Sequence, residues 1–332
     1  MAVSIADIQK LRKMTGAGLS DCKKALTETE GNFDKAVEII REKGQAIAAK
    51  RSDRETSNGC VLVKYADNFG AIVALKCETD FVANGADYIK LTQDILDAAV
   101  AAKAKSLDEV KELTLADGTK VLDAVVARSG ITGEKMELDG YNFIEGENIS
   151  TYDHMGKHTL CTMVQTNKAA EEQAHAIAMQ VAAMKPMFLD EASVSQEFIE
   201  EEKKVAAEKT KQELVQKAVD AALKKAGINP AHVDSEEHME SNMGKGWITA
   251  EDVAKFREIK ATVSAEKAAN LNENMIQNIA KGRVGKFLKE NCLVCQEFQF
   301  GDGDKQSVAD YLKKESKDLK IVAYKRFTLA AE

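Results

Sequence analysis

Hydrophobic positions in the first 45 or so residues recur with the period of amphipathic helices. Ile5, Ile8 and Leu11 make one stripe, Cys22, Ala25 and Leu26 a second, and Phe33, Ala36, Val37 and Ile40 a third. Gly16-Ala17-Gly18 and Gly31-Asn32 separate the stripes, and Gly44 reads as the stop of the last helix. After a polar linker at 50–58 the period drops to two. Residues 60–65 and 71–75 flank Asp67-Asn68-Phe69-Gly70, which is the pattern of a β-hairpin. Helices are expected at 86–102 and 121–128, the second ending at Ser129-Gly130. A second hairpin, 149–152 with 159–164, encloses Asp153-His154-Met155-Gly156-Lys157, and a helix at 169–184 follows, stopped by Pro186. Hairpin followed by helix thus occurs twice, either as an old duplication or because the order is a common one.

From 190 to 226 the chain is mostly Glu, Lys, Gln and Ala, with a thin apolar line at Phe198, Val205, Val215, Val219 and Ala222. So narrow a line suits an antiparallel helical arm better than a globular core. Gly227-Ile228-Asn229-Pro230 breaks the helix, a polar block with a helix at 250–258 intervenes, and 274–290 reads as the returning helix. Strands are expected at 293–300 and 320–329, with a helix at 307–314 between them. The expectation is an α+β protein divided into a three-helix head with linker (1–54), a core subdomain (55–145), the first part of a second (146–189), a coiled-coil arm with a polar insertion (190–290), and the completion of the second subdomain (291–332).

Composition narrows the function. Among 332 residues no apolar run approaches the ~20 needed to span a bilayer, and the amphipathic N-terminus lacks a secretory signal. A cytoplasmic protein is expected, with no membrane partner. The net charge of −8 argues against direct nucleic-acid binding, which calls for a basic surface. Residues 1–54 nevertheless carry 11 Lys+Arg against 8 Asp+Glu, a small basic head on an acidic body.

Enzyme signatures are missing: there is no phosphate loop, no dinucleotide glycine fingerprint and no serine elbow. Cys292 and Cys295 have C-x-x-C spacing without the second pair that a zinc site needs, and they lie in an apolar run. His154 and His158 are four apart, but on a hairpin turn, where the spacing does not make a ligand pair. No catalytic residue, cofactor or metal is expected. The segment Thr79-Asp80-Phe81-Val82-Ala83-Asn84 stands out because it joins a strand to a helix, a rigid mount for a short tip. Read on its own it is a helix cap, with Phe81 folded back as a hydrophobic staple.

Leu11-Arg12, Thr15-Gly16-Ala17-Gly18, Asp21-Cys22-Lys23-Lys24-Ala25-Leu26 and Gly31 closely resemble the N-terminal signature of the bacterial elongation factor Ts family. Thr79-Asp80-Phe81-Val82-Ala83-Asn84 resembles its second signature, and Gly282-Arg283, Lys286-Phe287 and Cys292-Leu293 a third stretch. The resemblance implies a ubiquitin-associated-like head, a two-subdomain core and a coiled-coil hairpin. It also implies a guanine nucleotide exchange factor for elongation factor Tu rather than an enzyme acting on a substrate. Thr79, Asp80, Phe81 and Val82 would dislodge Mg²⁺ in that GTPase. Arg12 and Leu19 on the head, and Ser129, Gly130 and His154 on the core, match further contact positions. Where many members have Met-Met this chain has Leu19-Ser20, and a C-terminal helical module found in some members is expected to be missing. Two rival classes stay open on the residues alone: an adaptor working through the head, and a thiol enzyme using Cys292 and Cys295.

Overall fold

The structure, a computed structural model, describes residues 3–301 and 305–331. Three helices open the chain: α1 (Ile5–Thr15), α2 (Leu19–Glu28) and α3 (Phe33–Lys50). Ser4 caps α1 by accepting from the Asp7 N–H, and Gly16 ends it in the left-handed region at φ 70°. Leu11, Ala17, Cys22, Ala25, Leu26 and Ala36 form the core of this head. Ile5 departs from its expected stripe. It is largely exposed, and Val3 and Ile8 pack against the core instead.

The first sheet is built from β1 (Asn58–Ala66), β2 (Phe69–Cys77) and β3 (Met136–Glu145), all antiparallel in the order β1-β2-β3. Asp67 and Asn68 join β1 to β2 with φ of 50° and 60°, as a two-residue type I′ turn requires. Between β2 and β3 lie the single turn α4 (Asp80–Ala83), then α5 (Ala86–Ala102), α6 (Leu107–Glu112) and α7 (Val121–Thr132). Alternation decides which layer each strand residue meets. Cys60, Leu62, Phe69, Val73 and Leu75 pack with Tyr88, Ile95 and Leu96 of α5, while Val61, Ile72 and Ala74 pack with Cys161 and Met163 of the second sheet. Both faces are covered, so β2 reads as an unbroken apolar run.

β3 escaped the sequence reading, and its register explains why. Ala74 pairs with Gly140 and Leu75 with Leu138, leaving Asp139 as an extra residue. Before this bulge Met136 and Leu138 face the helices; after it Tyr141 and Phe143 do. The period-two signal changes phase mid-strand and cancels.

Two expected helix stops are corrected. α3 runs through Gly44 to Lys50, and α7 runs through Ser129-Gly130 to Thr132, where Gly133 caps it at φ 72°. A Cβ on Gly130 would stand 2.4 Å from Gly44 Cα. The two glycines mark where α3 and α7 cross with their backbones in contact, not where either helix ends.

The second sheet contains β4 (Ile149–Asp153), β5 (Leu160–Thr166) and β6 (Ile321–Thr328), again antiparallel in chain order. α8 (Glu171–Met184) packs on it. Each sheet is therefore a hairpin, a helical excursion, and a third strand returning beside the second. The α+β class expected from the sequence is what the fold shows.

Residues 190–296 form a compact unit of their own. α9 (Gln196–Lys225) and α12 (Glu273–Asn291) run antiparallel, with Phe198 against Phe287 and Lys211 paired to Glu273. The buried line on α9 is Ala207, Thr210, Val219 and Leu223; Val205, which the sequence placed in that line, is exposed. The block between them is a folded cap and not merely polar connection. α10 (Glu236–Gly244) and α11 (Ala250–Ala269) bring Val233, Met239, Ile248, Val253 and Phe256 onto Val219 and Leu223. After α12 the expected strand at 293–300 is absent. Leu293–Cys295 is a 3₁₀ turn in which the Cys295 and Gln296 N–H groups both donate to the Cys292 carbonyl, so its hydrogen bonds close locally. In the other unit, α13 (Val308–Glu315) precedes β6.

Candidate functional site

The segment that leaves β2 is held by caps and packing around an exposed tip. Thr79 is the N-cap of α4: its backbone is extended and its hydroxyl accepts from the Val82 N–H. Cys77 donates its thiol to the Thr79 carbonyl, and the Asn84 side-chain amide donates to the Asp80 carbonyl. Ala83 is buried and Val82 half-buried against the helical layer of the first sheet. One turn of helix with two residues turned inward leaves its other side, Asp80 and Phe81, in solvent. Phe81 is 87% exposed.

That exposure corrects the staple reading. A staple would bury the ring and gain roughly 1.5–3 kcal/mol from burial, whereas Phe81 is left largely in solvent. The cap half of the same reading, Thr79 at the N-terminus of a short helix, is what the backbone does.

A second layer holds the tip from outside. Glu134, in the turn between α7 and β3, accepts from the Thr79 hydroxyl at 2.6 Å and from the Thr79 N–H at 3.1 Å. Glu78, one residue before the cap, accepts from the Lys135 N–H at 2.6 Å and from Arg51 at 2.8 and 2.9 Å. The Lys135 backbone N–H, and then the Arg51 guanidinium, hold the Glu78 carboxyl below its ordinary pKa. A lowered folded-state pKa adds stability above the unfolded value, which is lost as pH falls through the folded one. Glu78→Gln is therefore expected to lower the melting temperature at neutral pH, and its gap to the unmodified protein should shrink steadily below about pH 4.3, the ordinary glutamate pKa. Melts from pH 7 to pH 3 test this, and a constant gap would contradict it.

The remaining residues singled out from the sequence fall into two groups. Arg12 lies exposed in the last turn of α1, and Leu19, first residue of α2, is half exposed. His154 is half-buried on the β4–β5 turn, its Nδ1 3.1 Å from the Tyr152 hydroxyl. That turn reaches β1, where the Val61 N–H donates to the His158 carbonyl, and α4 also packs on β1. Ser129 and Gly130 are different. Ser129 is buried, 1% exposed, and its hydroxyl donates to the Glu134 carbonyl, while Gly130 is pressed against Gly44. Neither offers a side chain to a partner, because both are spent inside the fold.

Sequence reasoning passed over Arg51, Glu78, Glu134 and Met155. Met155 stands largely exposed at φ 57° on the β4–β5 turn. Glu78 and Glu134 carry no local signal, since their partners lie 57 and 55 residues away. A methionine in a hairpin tip is visible in the sequence, but nothing there says that it points outward.

Among the described residues no group of three or more His, Cys, Asp or Glu could hold a metal ion, and no helix is long and apolar enough to cross a membrane. The C-x-x-C pair lies in a partly buried, acidic setting. Burial, then Cys295 and the Glu191 and Asp190 carboxylates, push the Cys292 thiol up to about 11; burial and the same carboxylates raise Cys295. Reactive thiols sit in the opposite, electropositive environment.

Comparison with known proteins agrees across the chain. A family model described as Elongation factor TS matches residues 78–226 and 215–331. The protein named Elongation factor Ts of Bacteroides fragilis is 67% identical over 333 residues, with 100% of both chains covered. Those of Parabacteroides distasonis and Porphyromonas gingivalis are 65% and 41% identical, again over 100% of both chains.

Proposed function

The chain belongs to the elongation factor Ts family, and on that premise we propose that it is the guanine nucleotide exchange factor of elongation factor Tu in cytoplasmic protein synthesis, working by binding alone. The observation that carries the proposal is the Phe81 ring, held out in solvent on a one-turn helix whose inner face is packed.

A GTPase retains its nucleotide through a phosphate loop and Mg²⁺. A protein that binds the nucleotide-free form more tightly weakens nucleotide binding by the same factor, because linkage is reciprocal. No bond need be made or broken. What is required is a rigid element that fits one state and not the other, and an exposed aromatic on a fixed turn has the form of a binding anchor. In this reading Thr79–Val82 is the wedge. Phe81 enters the partner beside its Mg²⁺ site, and the exposed Asp80 carboxylate presents oxygen to the ion and repels the phosphates. Residues 1–54 are the head that docks on the partner's nucleotide domain through Arg12 and Leu19, with His154 as a core contact. The net +3 of those residues suits an acidic surface. The complex persists until GTP enters.

The test is stopped-flow release of a fluorescent GDP from elongation factor Tu of the same cell. Substoichiometric amounts of this protein should accelerate release; an unchanged rate would reject the proposal.

A further inference from the structure

We propose that Glu134 is a positioning residue for exchange, acting through Thr79 on the Phe81 tip, and that it is one half of a reciprocal carboxylate clamp whose other half is Glu78. The inference rests on the exchange reading above and adds a residue that touches neither nucleotide nor, in that reading, partner.

The geometry is an exchange of acceptors between two dipeptides. Glu78-Thr79 directly follows β2, and Glu134-Lys135 begins the approach to β3. The Glu78 carboxylate accepts the Lys135 N–H while the Glu134 carboxylate accepts the Thr79 N–H and hydroxyl. Each acid occupies the other segment's backbone donor. Ser129 in α7 ties the Glu134 carbonyl, Glu134 donates its own N–H to the Thr132 hydroxyl, and Arg51, just past the end of α3, grips Glu78 through both oxygens. Asn58 at the start of β1 donates its amide to the Glu78 carbonyl. α3, β1, β2 and α7 therefore all converge on the two residues that precede Asp80.

Such a clamp is needed because α4 is too short to hold itself. A single helical turn has no cooperative stability of its own, and Phe81 contributes none by packing. Beside the packing of Val82 and Ala83, charge-assisted hydrogen bonds to the cap residue hold the turn. Tip order then matters to exchange, because a ring that must be ordered on contact gives up part of its binding energy to entropy.

The experiment compares Glu134→Ala, Glu134→Gln, Phe81→Ala and the double variant Glu134→Ala/Phe81→Ala in full-length protein. Losing hydrogen bonds to a charged group is expected to cut the maximal rate of GDP release on the order of tenfold in Glu134→Ala. Glu134→Gln keeps one carbonyl acceptor and should recover most of that rate. Hydrogen exchange at the Val82 to Asn84 amides should rise in Glu134→Ala and fall back in Glu134→Gln. In the Phe81→Ala background the Glu134→Ala change should have almost no further effect, since residues acting as one unit are not additive.

A Glu134→Ala protein that releases GDP at the normal maximal rate would overturn the inference alone, provided that Phe81→Ala is slow. An equal loss in both backgrounds would also overturn it, by showing that Glu134 acts elsewhere. If Glu134→Ala is too unstable to measure, Glu134→Asp decides, because its shorter side chain withdraws the carboxylate from Thr79 and keeps the charge: faster hydrogen exchange at the tip with slower GDP release supports the clamp, and normal values of both refute it. If the unmodified protein fails to accelerate release, the exchange reading falls and takes this inference with it.

Discussion

Phe81→Ala should leave the melting temperature nearly unchanged and cut the maximal rate of GDP release from elongation factor Tu about 25-fold. Both halves follow from the same observation. Phe81 is 87% exposed, so removal of its ring from the free protein falls in the range of ordinary surface substitutions, about ±0.5 kcal/mol. Its energy is available only in the complex. Aromatic hot spots contribute roughly 2 kcal/mol or more when buried against a partner. Asp80→Ala should act in the same direction. Stopped-flow release alongside thermal melts separates the outcomes, and a lowered melting point with normal release would return the ring to a structural role.

The second large effect is expected from Gly130→Val, which should destabilise the protein by about 1–3 kcal/mol. A Cβ on Gly130 meets the Gly44 Cα at 2.4 Å, a backbone atom that cannot move aside without shifting α3. Because α3 belongs to the head and α7 to the core, the loss should loosen residues 1–54 and expose the 50–57 linker to proteolysis. The contact is asymmetric. A Cβ on Gly44 would find its nearest neighbour, the Val126 carbonyl oxygen, at 3.4 Å, an ordinary contact. Gly44→Ala should therefore be close to neutral, with the gain in helix propensity, about 1 kcal/mol, offsetting any tightness. Melts and limited proteolysis of the two variants check this. Equal destabilisation by both would mean that the contact is tight on both sides and the asymmetry is wrong, and two near-neutral variants would mean that the crossing is loose.

The two glycines also show why the head is less separable than its sequence implies. Gly44 looks like a stop because glycine so often ends helices. Here it is inside one, and the reason stands 86 residues further along the chain in α7. The clamp repeats the lesson: Glu78 and Glu134 are unremarkable acids until β2 and β3 are paired and the α7 turn is brought beside the cap.

Local periodicity did determine much. The three head helices, the β1–β2 hairpin with its Asp67-Asn68 turn, the helix at 86–102, the second hairpin and the antiparallel arm are all written in spacings of two or 3.6 residues. The Thr79 cap is written there as well, since an N-cap depends on its own residue and the next three. Tertiary structure alone decided the rest. The bulge at Asp139 erased the signal of β3, and burial on Val219 and Leu223 turned a polar block into a folded cap. Most of all it left Phe81 outside. A hydrophobic residue's type fixes its wish to be buried, but whether a surface is there to bury it depends on which distant elements arrive, and among the described residues none buries Phe81.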